Sequence, residues 1–115
     1  MTTHEIIDEV AGFYKLGNRS VKTESHFCLY NGPDGKQCAF ARMVIDPLAL
    51  IEHTNARVII QEFGMQILKP EYRGHDAEFY IAVQRLHDNK GNWNEDGLSE
   101  EGKIKVIDLK IKYPV

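Results

Sequence analysis

Apolar residues recur at helical spacing near the N-terminus, from Thr2 to Leu16. Thr2 and Glu5 stand three residues apart, the spacing at which each side chain satisfies a free amide at the start of a helix. Gly17 suits the position just after a helix, where the backbone turns to positive φ. We therefore expect an amphipathic helix over this segment. Its predicted core face consists of Ile6, Val10 and Phe13.

Helical spacing returns between Asp76 and Asp88, and the polar residues 89–92 are typical of a helix end. Trp93 follows directly, and we expect it to cover that end of the helix. The shared apolar face of this second helix consists of Phe79, Val83 and Leu86.

The segment from residue 46 to residue 73 predicts shorter elements. An Asp-Pro pair at its start indicates a helical turn, with the carboxylate capping and proline in the first turn. A short helix follows, capped by Thr54 or Asn55 and ending at Gly64. Residues 65–73 contain a proline and predict an irregular connector.

The region from residue 26 to residue 45 predicts a central β-hairpin. Its turn sequence, N-G-P-D-G, holds glycines that adopt positive φ, a proline that presets φ, and polar side chains that bond the local backbone. Apolar and aromatic residues flank the turn on both sides. If Tyr30 pairs with Lys36, Cys28 lies opposite Cys38, with Cβ atoms about 5 Å apart.

The last segment, residues 98–113, fits two structures. Ser99 followed by two glutamates is a good helix entrance. Alternating apolar and polar residues also fit a third strand beside the hairpin, but we favour the helix. As a helix it has one apolar face of Ile104, Ile107 and Ile111 and another of Val106, Leu109 and Tyr113. With either structure the predicted fold class is α+β, with an N-terminal helix, the central hairpin, and two or three further helices.

The 115 residues have the length of a single compact domain. The net charge is −3 and the sequence pI is near 5.9. The chain therefore lacks the excess of basic residues expected of a nucleic-acid binder. No run approaches the ~18 apolar residues that a membrane span requires. The N-terminus lacks the pattern of a signal peptide, and two cysteines without such a signal are typical of the cytoplasm.

Cys28 and Cys38 leave three structural interpretations open. The first is a pair of buried apolar side chains, since free cysteine is among the most buried residue types. The second is a disulfide, which the predicted pairing permits but a reducing cytoplasm disfavours. The third is a zinc site completed by His26 and His53, although the C-x9-C spacing differs from that of zinc knuckles.

Nucleophilic catalysis is a fourth use of the cysteines, and it requires a thiolate, a base and an orienting group. His87 and Asp88 supply the last two residue types. However, adjacent residues on a helix point about 100° apart, so we expect Asp88 to bond the loop that follows it. We expect His87 to be a partly buried residue at a helix end. No catalytic residue and no cofactor is therefore predicted, and an enzyme centred on Cys28 and Cys38 is the alternative.

Two blocks of the sequence resemble those of small uncharacterised proteins of phages and bacteria. The first, C-x-Y-x(4)-G-x-x-C-A, consists here of Cys28, Tyr30, Gly35, Cys38 and Ala39. The second, L-Q-x-x-H-D followed by Trp, consists of Val83 in place of Leu, Gln84, His87, Asp88 and Trp93. One departure is Ala41, where the pattern has glycine. The resemblance spans roughly residues 5–95 and implies a compact α+β domain from a mobile element, located in a bacterial or phage-infected cell. It implies no activity.

We predict a small non-enzymatic protein that binds another macromolecule, with a protein as the favoured partner and neither nucleic acid nor membrane expected. A phage accessory or anti-defence role is one form of this function. Self-association through the C-terminal segment is another option, because its two apolar faces exceed what one core contact needs. The residues predicted to contact a partner are Asn31, Asp34, Lys36, His87, Asp88 and Trp93.

Overall fold

The computed structural model describes residues 1–20, 29–32, 35–50, 52 and 55–115. Within these ranges the backbone forms helices α1 (Thr3–Phe13), α2 (Ala39–Met43), α3 (Ala56–Phe63), α4 (Ala77–Asp88) and α5 (Glu100–Lys112). Two short strands, β1 (Trp93–Asn94) and β2 (Gly97–Leu98), pair in an antiparallel hairpin. The predicted α+β class is therefore confirmed. No helix formed by these residues combines the length and the apolar character that crossing a bilayer requires.

Helices α1 and α3 begin at the predicted caps, and α4 begins directly after Asp76, where the predicted helix starts. The Thr2 hydroxyl accepts the Glu5 amide at 3.1 Å, and the Glu5 carboxylate accepts the Thr2 amide at 2.9 Å. Asn55 caps α3 by accepting the amide of Val58 at 3.0 Å. Asp76 caps α4 through the amide two residues further on. These caps form within one turn of each helix, so the local sequence is sufficient to predict them.

Helix α1 ends earlier than predicted, at Phe13 rather than Leu16. Tyr14 turns to an extended backbone, and its hydroxyl donates to the carbonyl of Gln37 at 2.6 Å. This distant contact outweighs the local tendency to continue the helix. Gly17 consequently lies in a separate 3₁₀ turn instead of just after α1.

The predicted second strand of the central hairpin is wrong, because Ala39–Met43 forms α2. Four of its five residues are buried, so the segment lacks the polar face that marks most helices in a sequence. The thiol of Cys38 accepts the amide of Ala41 at 3.4 Å. From α4, the Gln84 side chain accepts the amide of Phe40 at 2.8 Å. These two acceptors satisfy amides at the start of the helix, which favours the helix over a strand.

The turn before α2 also has a different register from the predicted one. Asn31 bridges Gln37, and the amide of Cys38 donates to the carbonyl of Tyr30 at 3.1 Å. Tyr30 is therefore opposite Cys38, two residues beyond its predicted partner. The other half of the predicted cysteine pair, Cys28, lies outside the described residues.

The elements on either side of α3 match the predicted short turns. Pro47–Ala49 forms a 3₁₀ turn, although Asp46 makes no side-chain bond to cap it. The connector after α3 consists of the 3₁₀ turns Met65–Ile67 and Pro70–Tyr72, with Leu68 fully buried between them.

Helix α4 is the central element of the core and contacts α1, α2, α3 and α5. One side of it is buried over its whole length, because the surrounding helices cover that side from several directions. The buried residues of α4 are Phe79, Tyr80, Val83, Leu86 and His87.

The last segment is a helix, α5, as we favoured. Ser99 caps it by accepting the amide of Gly102 at 3.1 Å. Its inner face, formed by Val106, Leu109 and Tyr113, packs partly buried against the core.

Side chains of α1 hold the C-terminal end of α5 in place. The Thr3 hydroxyl donates to the carbonyl of Tyr113 at 2.8 Å, and the ring of His4 bonds the carbonyl of Lys110 at 3.0 Å. The Lys110 ammonium also lies 2.6 Å from the carboxylate of Asp8. The bonds from Thr3 and His4 satisfy backbone carbonyls that the end of a helix otherwise leaves to solvent.

Gly102 holds the other end of α5 close to the backbone that precedes β1. A Cβ atom at this position would lie 2.1 Å from the carbonyl oxygen of Asn92 and 2.8 Å from the side chain of Leu98. Gly12, which is also helical, has no such neighbour within 4 Å. Only the first of these glycines is therefore required by packing.

We expect Gly102→Ala to lower the free energy of unfolding by about 1–3 kcal/mol, because overpacking outweighs the better helix propensity of alanine. The matched variant Gly12→Ala should raise it by about 0.5–1 kcal/mol. Urea denaturation measures both changes. A gain in stability for Gly102→Ala would contradict the close approach of α5 to Asn92.

Candidate functional site

The last carbonyls of α4 accept hydrogen bonds from three side chains, which we call the α4 cap: Arg19, Asn92 and Trp93. Arg19 donates from Nη1 to the carbonyls of His87 and Asp88 at 3.0 and 2.9 Å. The Trp93 indole and the Asn92 amide both donate to the next carbonyl inwards, at 3.0 and 3.1 Å. A helix end normally leaves these groups to water or to a glycine motif. Buried side chains from two other parts of the chain satisfy them here.

Trp93 covers the end of α4, as predicted, and only 4% of it is exposed. Arg19 is also buried, with 5% exposed, although nothing in its local sequence indicates this. Both side chains are consequently internal.

His87 is fully buried next to this cap. Its Nε2 accepts the backbone amide of Ser20 at 3.2 Å, which leaves the proton on Nδ1 to be donated to Asp88 at 2.9 Å. Burial lowers the pKa of His87, opposed by the nearby Asp88 carboxylate. The ring is therefore neutral, and its contact with Asp88 is a hydrogen bond rather than an ion pair.

Two expectations about this pair are wrong. His87 is completely buried instead of partly buried. Asp88 turns back along α4, where it accepts from His87 and also from Gln84 at 2.7 Å, instead of bonding the following loop. The side chains of His87 and Asp88 bend toward each other, so the two residues meet although adjacent positions of a helix point in different directions.

Ser20, His87 and Asp88 supply the residue types of a hydrolytic triad, but their geometry differs from one. A triad needs the serine hydroxyl on the histidine. Here the backbone amide of Ser20 occupies that position, and its hydroxyl donates to the carbonyl of Leu29 at 2.6 Å. Ser20 and His87 both have no exposed surface. The cluster therefore joins chain segments and has no nucleophile placed to attack a substrate.

Cys38 is a buried free thiol within the described chain. Burial is the main cause that raises its pKa to about 12, so it is a protonated thiol near neutral pH. Its sulfur is already used as the cap of α2. The other members of the alternative metal set, His26, Cys28 and His53, lie outside the described residues. Over the described ranges, no three His, Cys, Asp or Glu side chains are grouped to hold a metal ion.

Two of the predicted contact residues in the turn before α2, Asn31 and Lys36, lie partly exposed at the surface. Asn31 is half-buried because its amide donates to the carbonyl of Pro47 at 2.8 Å. Lys36 is half-buried at the edge of a cleft of about 230 Å³. Asp34 lies outside the described residues. The cleft is lined by Phe13, Asn18, Gly35, Lys36, Gln37 and Arg42.

Three isoleucines on the outer side of α5 form an exposed apolar surface that is not among the predicted contact residues. We call Ile104, Ile107 and Ile111 the outer stripe; their exposed fractions are 59%, 58% and 73%. They recur at intervals of three and four residues, so they lie on one face of the helix. The two apolar faces predicted for a C-terminal helix already contained this signal, since one core contact covers only the inner face.

Comparisons with known proteins do not assign this site. The chain matches no family model, and no curated protein or solved structure shows significant similarity to it. Its function is therefore inferred from its own contacts, burial and charges.

We expect the buried neutral state of His87 to make the protein less stable in acid. Because its pKa is lowered by folding, the native state binds fewer protons than the unfolded chain. The contribution of His87 is fully present above the unfolded pKa of about 6.5 and is lost as the pH falls below it. Urea denaturation across this range measures the effect. His87→Gln should show a smaller pH dependence, and an identical dependence in both proteins would contradict the assignment.

Proposed function

We propose that this chain is a small cytoplasmic protein that acts by binding another protein, and that the outer stripe of α5 is its contact surface. The carrying observation is that three isoleucines of one helix face are each more than half exposed. Burial of such side chains stabilises a complex by roughly 1.5–3 kcal/mol for each isoleucine fully covered.

The contacts that hold α5 against the rest of the protein support this proposal. The inner face of the helix lies against the core, Gly102 fixes one end against Asn92, and Thr3 and His4 hold the other end. The outer stripe is thus presented on a rigid element. A preformed surface loses little conformational entropy when a partner covers it.

The use of the polar groups also favours binding over catalysis. His87, Ser20 and Cys38 are buried; His87 and Ser20 hydrogen-bond to other chain segments, and the Cys38 thiol caps its own helix α2. The exposed isoleucines, in contrast, have no internal role. A continuous apolar stripe of this kind is typical of an interaction surface.

An accessory or anti-defence role in a phage or another mobile element is one concrete form of this function. It is supported only by the resemblance of the two sequence blocks, the first containing Cys38 and the second His87. In the structure these blocks pack together, since Gln84 from the second accepts the amide of Phe40, which follows the first. The blocks would then preserve the fold that presents α5.

We expect Ile107→Glu to abolish capture of the partner, because a carboxylate replaces the centre of the outer stripe. The tagged full-length chain would serve as bait in a bacterial lysate, with captured proteins identified by mass spectrometry. Val58→Glu is a matched control on α3, where Val58 is 42% exposed. A protein captured by the wild type and by Val58→Glu, but lost with Ile107→Glu, supports the proposal. Capture of the same set by all three, together with a monomeric chain at every concentration, would refute it.

A further inference from the structure

The two edges of the outer stripe carry opposite charges. Each residue of a helix advances by about 100°, so the residues directly before Ile104 and Ile111 lie on one side of the stripe, and the residues three before and four after Ile104 lie on the other. Lys103 and Lys110 flank one side, and Glu101 and Asp108 flank the other. A helix face with one basic edge and one acidic edge is complementary to a copy of itself related by a two-fold axis that runs parallel to the helix.

We infer that the outer stripe pairs with the outer stripe of a second copy of this chain, with the two α5 helices parallel about a two-fold axis. This inference rests on the proposed function and names the partner of the same surface. Parallel pairing places the basic edge of each helix against the acidic edge of the other. Antiparallel pairing would place basic against basic and acidic against acidic, which like charges disfavour.

The spacing from Lys103 to Ile111 fits the parallel arrangement, and Glu100, at the preceding d position, marks the N-terminal limit of the paired stretch. Ile104, Ile107 and Ile111 occupy the a, d and a positions of a heptad. Lys103 then occupies g and Asp108 occupies the e position five residues later, which is the pair that meets between parallel helices. Two such pairs form in the dimer, one on each side of the isoleucines.

These charges are available at the surface. Asp108 is exposed, and Lys103 contacts Glu100 in an ion pair whose side chains are 59% and 90% exposed. An exposed pair of this kind contributes little and exchanges partners readily. Lys110, in contrast, is already bonded to Asp8. Lys103 and Asp108 are thus the pair that sets the direction of the partner helix.

The small size of the stripe predicts a reversible dimer. Stable interfaces bury about 1,200–2,000 Å² in total, and three isoleucines a side with their flanking stems lie at or below the lower end. We expect a dissociation constant on the order of 10–100 µM. Because α5 is held by its own core, association does not have to fold the helix first.

Charge reversal tests the pairing. Sedimentation velocity on the full chain over micromolar to submillimolar concentrations should show a monomer–dimer equilibrium. Lys103→Glu and Asp108→Lys should each weaken the dimer about threefold to tenfold, because each replaces attraction by repulsion on both sides. Together they should restore the dissociation constant to within about twofold of the wild type. Lys105→Glu has the same charge change but lies in the cleft between α4 and α5, so it should leave the dimer unchanged.

Cross-linking tests the direction of the helices. In a Cys28→Ser background, Ile104→Cys and Ile111→Cys should each form a symmetric disulfide under mild oxidation, because every residue near a parallel two-fold axis meets its own copy. Cross-linking at only one of the two positions would overturn the parallel arrangement. A monomer at every concentration would overturn self-association. In that case, loss of a captured protein with Ile107→Glu would still support the proposed function, and no loss would refute both.

Discussion

The fold depends on the hydrogen bonds that the last backbone carbonyls of α4 accept from distant side chains. Arg19 reaches it from the segment after α1, and Asn92 and Trp93 reach it from the segment before the hairpin. Unpaired buried carbonyls are costly, so these bonds tie both segments to the central helix. The neutral ring of His87 adds a third tie through the amide of Ser20. Helix α5 in turn packs directly on the backbone of Asn92, because Gly102 has no side chain to keep the two apart.

This arrangement separates the polar residues from the surface that is available for function. Ser20 and His87 join chain segments in the interior, and the Cys38 thiol caps α2, so the polar atoms of all three bond backbone groups. What the molecule presents to solvent on a rigid support is an apolar stripe with charged edges. The proposed role is therefore recognition, and the charges on the two edges of the stripe favour a second copy of the chain as the proposed partner.

Much of this architecture could be predicted from sequence because it is local. The caps at Thr2, Asn55 and Asp76 act within one turn, and the apolar spacing marks the inner face of α4. On α1 it marks Ile6 and Val10 correctly, but Phe13, predicted on the same face, is 47% exposed. The central hairpin could not be predicted correctly, because α2 is buried on nearly all sides and takes an acceptor from Gln84, a residue distant in sequence.

The candidate site was predicted only in part, for the same physical reason. His87 and Trp93 were expected at a contact surface, yet the long-range bonds to Ser20 and to the end of α4 place both inside. The three isoleucines of α5 could be grouped from their spacing alone. Which of the two apolar faces stays exposed depends on how α5 meets α1, and no local pattern encodes that contact.

Hydrogen exchange at two protons of the α4 end tests the central claim most directly. These are the indole proton of Trp93 and the amide proton of Ser20, both followed by NMR in the native protein. If the end of α4 organises the fold, both exchange only through global unfolding, at the free energy of the most protected amides in α4. Exchange orders of magnitude faster than those amides would contradict the account, since it would show that this end opens while the rest of the fold stays intact.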